Sequence, residues 1–166
     1  MQAHEALAFL RTRQPMPDRP SEADWHLYRA TTDHFYDHPD EACIPLYLNS
    51  FGDWEDLTVY ESVQAVIRRF PAETVWPHLE AALCSEHPTV RLWAADTARL
   101  IPHPRLIPFL RPLLKEEGSQ MRLVAATALE AVGPLLVRSI ASDALEDEHD
   151  AMVRGVLSDI VHEDAG

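Results

Sequence analysis

Glycine is scarce in this chain: there are five among 166 residues, and no cluster of them forms a loop that could cradle a phosphate. That scarcity argues against a nucleotide-dependent enzyme. Lysine is scarcer still, with Lys115 alone among fourteen basic residues, and no function follows from it. The two cysteines, Cys43 and Cys84, belong to no CxxC or Cys/His cluster, so they read as small apolar residues of a reducing compartment rather than a disulfide or a metal site. No apolar run reaches membrane length. His4, Glu5, Arg11 and Arg13 interrupt the N-terminal stretch, so a soluble, cytoplasmic protein is expected. Nor does any segment alternate apolar and polar residues as a strand would.

What is present in excess is negative charge. The net charge is −13, spread along the whole chain, and no basic tail or stripe offsets it. Such a field repels nucleic-acid backbones and anionic membranes, and it speeds encounter with a cationic partner. A general solubilising role accounts for the same acidity.

The chain also repeats itself. Val59-Tyr60, Val90-Arg91, Met121-Arg122 and Val153-Arg154 recur at offsets of 31, 31 and 32 residues, each opening a run of small and aliphatic side chains. Between them runs a second ladder, Ile44-Pro45, Trp76-Pro77 and Ile107-Pro108, at offsets of 32 and 31. Two interleaved ladders at one period describe a unit of two elements, stacked several times. Helices are predicted over 2–13, from Ser21 to His38, and over 41–51, 54–70, 73–84, 88–101, 105–116, 119–132, 135–146 and 150–162. The short connections between them make neighbours antiparallel. Ser21 is the expected N-cap of the second helix, with Asp24 completing an imperfect capping box. Pro112 falls deep inside its helix and predicts a kink, whereas the ladder prolines fall near first turns, where a missing amide hydrogen costs little. Ala94, Ala95 and Ala98, then Ala125, Ala126 and Ala128, stand where helices must approach closely.

The segments VRLWAADTARL from Val90 and MRLVAATALEAVG from Met121 resemble the first helix of a HEAT repeat, in which a hydrophobe-Arg pair precedes an alanine-rich stretch and an apolar helix with an early proline follows. The resemblance is specific over 41–133. It weakens over 22–51 and 134–162, where the aromatic helix led by Tyr28-Arg29 and the interruption at Gly155 look like terminal caps. It implies an all-α fold, a right-handed α-solenoid of stacked helical hairpins with repeats of 31–32 residues. The chain would be one domain: an N-terminal helix and proline-rich linker over 1–20, a cap hairpin over 21–51, regular repeats over 52–133 and a C-terminal cap over 134–166.

Chemistry-bearing patterns are thin. His34 and His38, four apart with Asp33 and Asp37 beside them, offer two ligands and no third, so no metal site is assigned. The repeated His-Glu pairs of HEAT-type iron hydroxylases are missing, since His4-Glu5 and His162-Glu163 lie at opposite ends. The basic lining of HEAT-like DNA glycosylases is not matched either: Glu41, Glu73 and Glu80 precede Arg105, Arg111 and Lys115 along the second ladder. No catalytic residue and no cofactor is assigned.

Acids interleaved with aromatics are the better lead. Tyr47 and the turn Asp53, Trp54, Glu55 and Asp56 combine an aromatic anchor with carboxylates, which suits a basic protein surface. The same turn reads equally as a helix cap with Trp54 folded onto the core. Glu73 and Glu80 form a second candidate patch on the next inner helix, and the acidic run at 146–150 reads as a solvated loop. The expectation is a non-catalytic binding protein for a basic protein partner, with neither nucleic acid nor membrane as target. Its size, charge and repeats resemble those of bacterial immunity proteins, which inhibit a cognate toxin, often a basic nuclease, by covering its active site. An enzyme or enzyme subunit like the HEAT-type bilin lyases is the alternative, using Asp33 and Asp37, or Cys43 or Cys84, around a bound small molecule.

Overall fold

The structure is a computed structural model that describes residues 1–17, 19–52 and 57–163. Among these there is no strand. The helices are α1 (Ala3–Arg11), α2 (Glu22–Asp37), α3 (Cys43–Leu48), α4 (Leu57–Ile67), α5 (Ala72–Leu83), α6 (Pro88–Leu100), α7 (Ile107–Leu110), α8 (Ser119–Val132), α9 (Pro134–Asp147) and α10 (Ala151–His162). The chain divides into two compact units, Met1–Ala94 and Ala95–Gly166.

In the first unit, α1 packs on α2 and α3, α2 on α4, and α3 on α5. First elements stack on first elements and second on second, as in an α-solenoid. Aromatic rings fill the space between them. Tyr28 meets Tyr47 edge-on at 6.0 Å, Phe35 meets Tyr47 at 6.1 Å, and Phe51, Tyr60 and Trp93 form a second group with centroids 4.8–5.8 Å apart. The proline-rich segment after α1 is tied down rather than free: Gln14 donates to the Leu46 carbonyl at 2.8 Å, and the Met16 amide donates to that of Ser50 at 3.0 Å. Gly52 is required there, because a Cβ would stand 2.4 Å from the Met16 carbonyl oxygen. Ser21 and Asp24 form a complete capping box on α2, and the Arg13 guanidinium holds the Asp24 carboxyl below its ordinary range.

The second unit repeats the scheme. The 3-10 turn Arg111–Lys115 packs on α8 and α9, α8 packs on α9, and α10 packs on both α8 and α9. Ala125, Ala126 and Ala128 are buried on α8, which packs on α9 and α10, and Ala94, Ala95 and Ala98 of α6 are buried as well. The expected helix over 105–116 is instead three short pieces: a 3-10 turn over Pro104–Leu106, α7, and the 3-10 turn over Arg111–Lys115. Pro112, deep in the expected helix, removes an amide that an α-helix would use and clashes with the preceding turn, while Pro104 and Pro108 stand at the starts of the first two pieces. Two other expectations change. Gly155 lies within an unbroken α10, its missing Cβ facing open space, and Pro77 sits inside α5 rather than in its first turn.

The first ladder has a structural explanation. Its second residue ties down the connection before its helix. Arg91 donates to the carbonyls of Ser85 and Glu86 at 2.8 and 3.3 Å, Arg122 to those of Glu116 and Glu117 at 2.9 and 2.7 Å, and Arg154 to those of Leu145 and Glu148 at 3.1 and 2.6 Å. Where the ladder carries Tyr60 instead, its hydroxyl accepts from the Gly52 amide at 2.8 Å and donates to the Gly52 carbonyl at 3.1 Å. All but the Leu145 carbonyl lie in the connections just beyond a helix end, where no helical amide can satisfy them.

Arg122 also forks onto Glu148, Nε to Oε2 at 2.7 Å and Nη2 to Oε1 at 3.0 Å, and Glu148 accepts from the amides of His149 and Asp150. The Arg122 hydrogen bonds bring the Glu148 carboxyl down from 4.5 to about 2. Glu148 therefore contributes stability in full above pH 4.5, where the unfolded carboxyl is ionised, and loses it as pH falls toward 2. Replacing Arg122→Met strands this buried carboxylate and should cost about 3 kcal/mol in urea unfolding at neutral pH. Glu148→Gln should cost less and flatten the stability profile between pH 4.5 and 2 relative to wild type.

Candidate functional site

The residues expected to contact a partner separate into three groups. Tyr47 is fully buried between Tyr28 and Phe35, and burial raises its hydroxyl well above the ordinary tyrosine range. It is a core residue rather than the expected surface anchor: α3 is short, and this ring points into the space between α2 and α3. Asp53, Trp54, Glu55 and Asp56 lie outside the described residues. Glu73 and Glu80 lie on α5, seven residues apart and so on one face, Glu73 exposed and Glu80 half-buried. Glu73 occupies the first turn, where a carboxylate also suits the helix dipole.

The groups considered for catalysis do not converge. Cys43 is buried in α3, and burial pushes its thiol up to about 12. Cys84 is exposed at the C-terminal end of α5. A small cavity of about 120 Å³ in the first unit is lined by Trp25, Arg29, Thr32, Asp33, Val59 and Ser62, and by neither cysteine. His34 and His38 stand with ring centroids 5.3 Å apart at the end of α2. No group of three or more His, Cys, Asp or Glu residues among the described residues is arranged to hold a metal ion.

The larger concavity lies wholly in the second unit. It is a half-open groove of about 520 Å³ between the turn Arg111–Lys115 and α9, with Arg122, Glu148 and His149 also in its lining. Leu114, Ile140 and Ala144 make its apolar floor, with Arg111 and Lys115 on one wall and Asp143 and Asp147 on the other. The acidic run at 146–150, expected as a solvated loop, has internal work in this place. Glu148 is buried on Arg122, and Asp150 caps α10 by accepting from the amides of Met152 and Val153 at 2.9 and 3.2 Å. The cap on α10 was missed in the sequence, although an aspartate directly before an apolar helix is the signal that marks one. The pairing of Glu148 with a residue 26 positions earlier has no such signal.

Two ion pairs in this groove differ in kind. Arg122 and Glu148 are 18% and 5% exposed and meet at hydrogen-bonding distance. Arg111 and Asp143 are 59% and 73% exposed and stand 3.9 Å apart, beyond a hydrogen bond. The first is fixed structure, and the second is a surface contact worth at most about 1 kcal/mol.

Two measurements check these assignments. Tyr47→Ala should lower stability by about 3 kcal/mol in thermal unfolding, as removal of a buried aromatic does. In the native protein a thiol reagent should modify Cys84 within minutes and leave Cys43 untouched until denaturant is added.

The family model for HEAT repeats matches residues 76–158, half of the chain. No curated protein matches the chain. Among the described residues, no helix is long and apolar enough to cross a membrane.

Proposed function

Because the chain belongs to the HEAT-repeat family, whose stacked hairpins generally serve as protein-interaction surfaces, we propose that it is a non-catalytic binding module that takes a basic partner protein onto its acidic surface. The narrower form of this proposal is an immunity-type inhibitor that covers the working face of a basic, nuclease-like toxin.

The charge carries the reading. Fourteen basic residues face twenty-seven acidic ones, so at least thirteen carboxylates have no lysine or arginine to match them one for one. The excess is shared: seven basic against fifteen acidic residues in the first unit, and seven against twelve in the second. Several arginines are also committed internally, Arg91, Arg122 and Arg154 to backbone carbonyls and Arg13 to Asp24. What remains outward is a field that accelerates capture of a cation and rejects polyanions. Glu73 and Glu80, on one face of α5, are the contacts proposed in the first unit.

The test is affinity capture from the cells of origin, followed by kinetics on the purified pair. A basic protein should be recovered in stoichiometric amount. Its association rate should fall about tenfold or more between about 20 mM and 500 mM salt, while dissociation changes little. For the inhibitor form, the partner's hydrolytic activity should fall in proportion to added chain and vanish at equivalence. Absence of a basic partner, or binding indifferent to salt, overturns the reading.

A further inference from the structure

We propose that the groove between the Arg111–Lys115 turn and α9 is a slot for an arginine side chain of the partner, with Asp143 and Asp147 as its acceptors and the chain's own Arg111 as its resident stand-in. This rests on the basic-partner reading above and names where in the second unit that partner is gripped.

The geometry argues for a guanidinium in particular. Asp143 and Asp147 are one helical turn apart on α9, so a planar, five-donor group can reach both. The floor of Leu114, Ile140 and Ala144 offers apolar surface to the methylene stem that carries such a group. A guanidinium already stands there: Arg111 Nη2 is 3.9 Å from Asp143 Oδ2, in a pair with both members largely exposed. An exposed pair of this length is exchangeable, unlike the buried Arg122–Glu148 pair at the end of the same groove.

Electrostatics favour the exchange. The last turn of α9 carries no basic residue, Asp147 lies there at the negative end of the helix dipole, and Asp143 stands one turn before it as a like charge. The helix itself disfavours that arrangement, and a bound cation reverses the penalty. With Arg111 swung out, the lining apart from the Arg122–Glu148 pair keeps one cation, Lys115, against Glu116, Asp143 and Asp147. An incoming arginine therefore replaces a cation that the site already accommodates.

The experiment uses the full chain and a fluorescently labelled hexa-arginine peptide, with binding read by anisotropy at about 50 mM salt. Asp143→Asn with Asp147→Asn should weaken binding about tenfold more than Glu61→Gln with Glu86→Gln, which removes the same charge from exposed positions of the first unit that have no assigned partner contact. Arg111→Gln should tighten binding several-fold more than Arg68→Gln, a change of equal charge in the first unit, because only the former empties the slot. Circular dichroism checks that each variant keeps its helices. Equal losses in the two double variants, or equal gains in the two arginine variants, overturn the slot and leave the acidic-surface reading standing. A wild-type chain that does not bind the peptide overturns both.

Discussion

Among the described residues, the four connections that precede a first-ladder helix depend on one kind of contact: a long polar side chain at the second ladder position, reaching back to fix the connection before its own helix. Arg91, Arg122 and Arg154 do this with a guanidinium, and Tyr60 does it with a hydroxyl. The need follows from the architecture. A solenoid of short hairpins has a helix end every dozen or so residues, and each end leaves carbonyls that water or a side chain must satisfy. An arginine offers several donors from one anchor point, so one residue can close a connection of variable shape. In the last of these repeats its targets shift to Leu145 and Glu148 without loss of the contact.

That structural demand shapes the surface. An arginine bonded to backbone carbonyls keeps its charge but is held in place rather than free to move to a surface carboxylate, and only one lysine supplements the arginines. The acidic field itself follows from the count, twenty-seven acids against fourteen bases. Where a carboxylate is itself part of the scaffold, as Glu148 is beneath Arg122, it is buried and multiply bonded, its carboxyl lowered to about 2. Carboxylates available to a partner are those without such a role. Sorting acids by their hydrogen bonds divides framework from interface more sharply than counting them does.

Periodicity made the helices, their order and the alanine contacts legible, because burial repeats with the unit and leaves its mark at fixed positions. Three things were not legible, each because a contact distant in sequence decides it. Tyr47 has the composition of a surface anchor, yet α3 turns its ring toward Tyr28 and Phe35, which belong to another helix. Glu148 sits in a run of acids that looks solvated, and only its pairing with Arg122 removes it from solvent. The groove was half visible: Arg111 and Lys115 are basic residues of the second ladder, but the face of α9 that carries Asp143 and Asp147 comes beside them only through repeat stacking.

The prolines of the third repeat show how a local irregularity becomes a recognition feature. Pro104, Pro108 and Pro112 break what would be one helix into two 3-10 turns around a single α-helical turn. In 3-10 geometry residues three apart stack on one side, so Arg111 and Leu114 share a face and both reach the groove. In an α-helix the same residues would be offset by about 60°. The prolines therefore place a charged tip and an apolar stem surface together on one wall, opposite an α9 whose regular spacing sets two carboxylates one turn apart. A uniform pair of α-helices would present a smoother seam. The groove thus has a proline-tightened wall facing a regular one, a pairing that repetition alone does not supply.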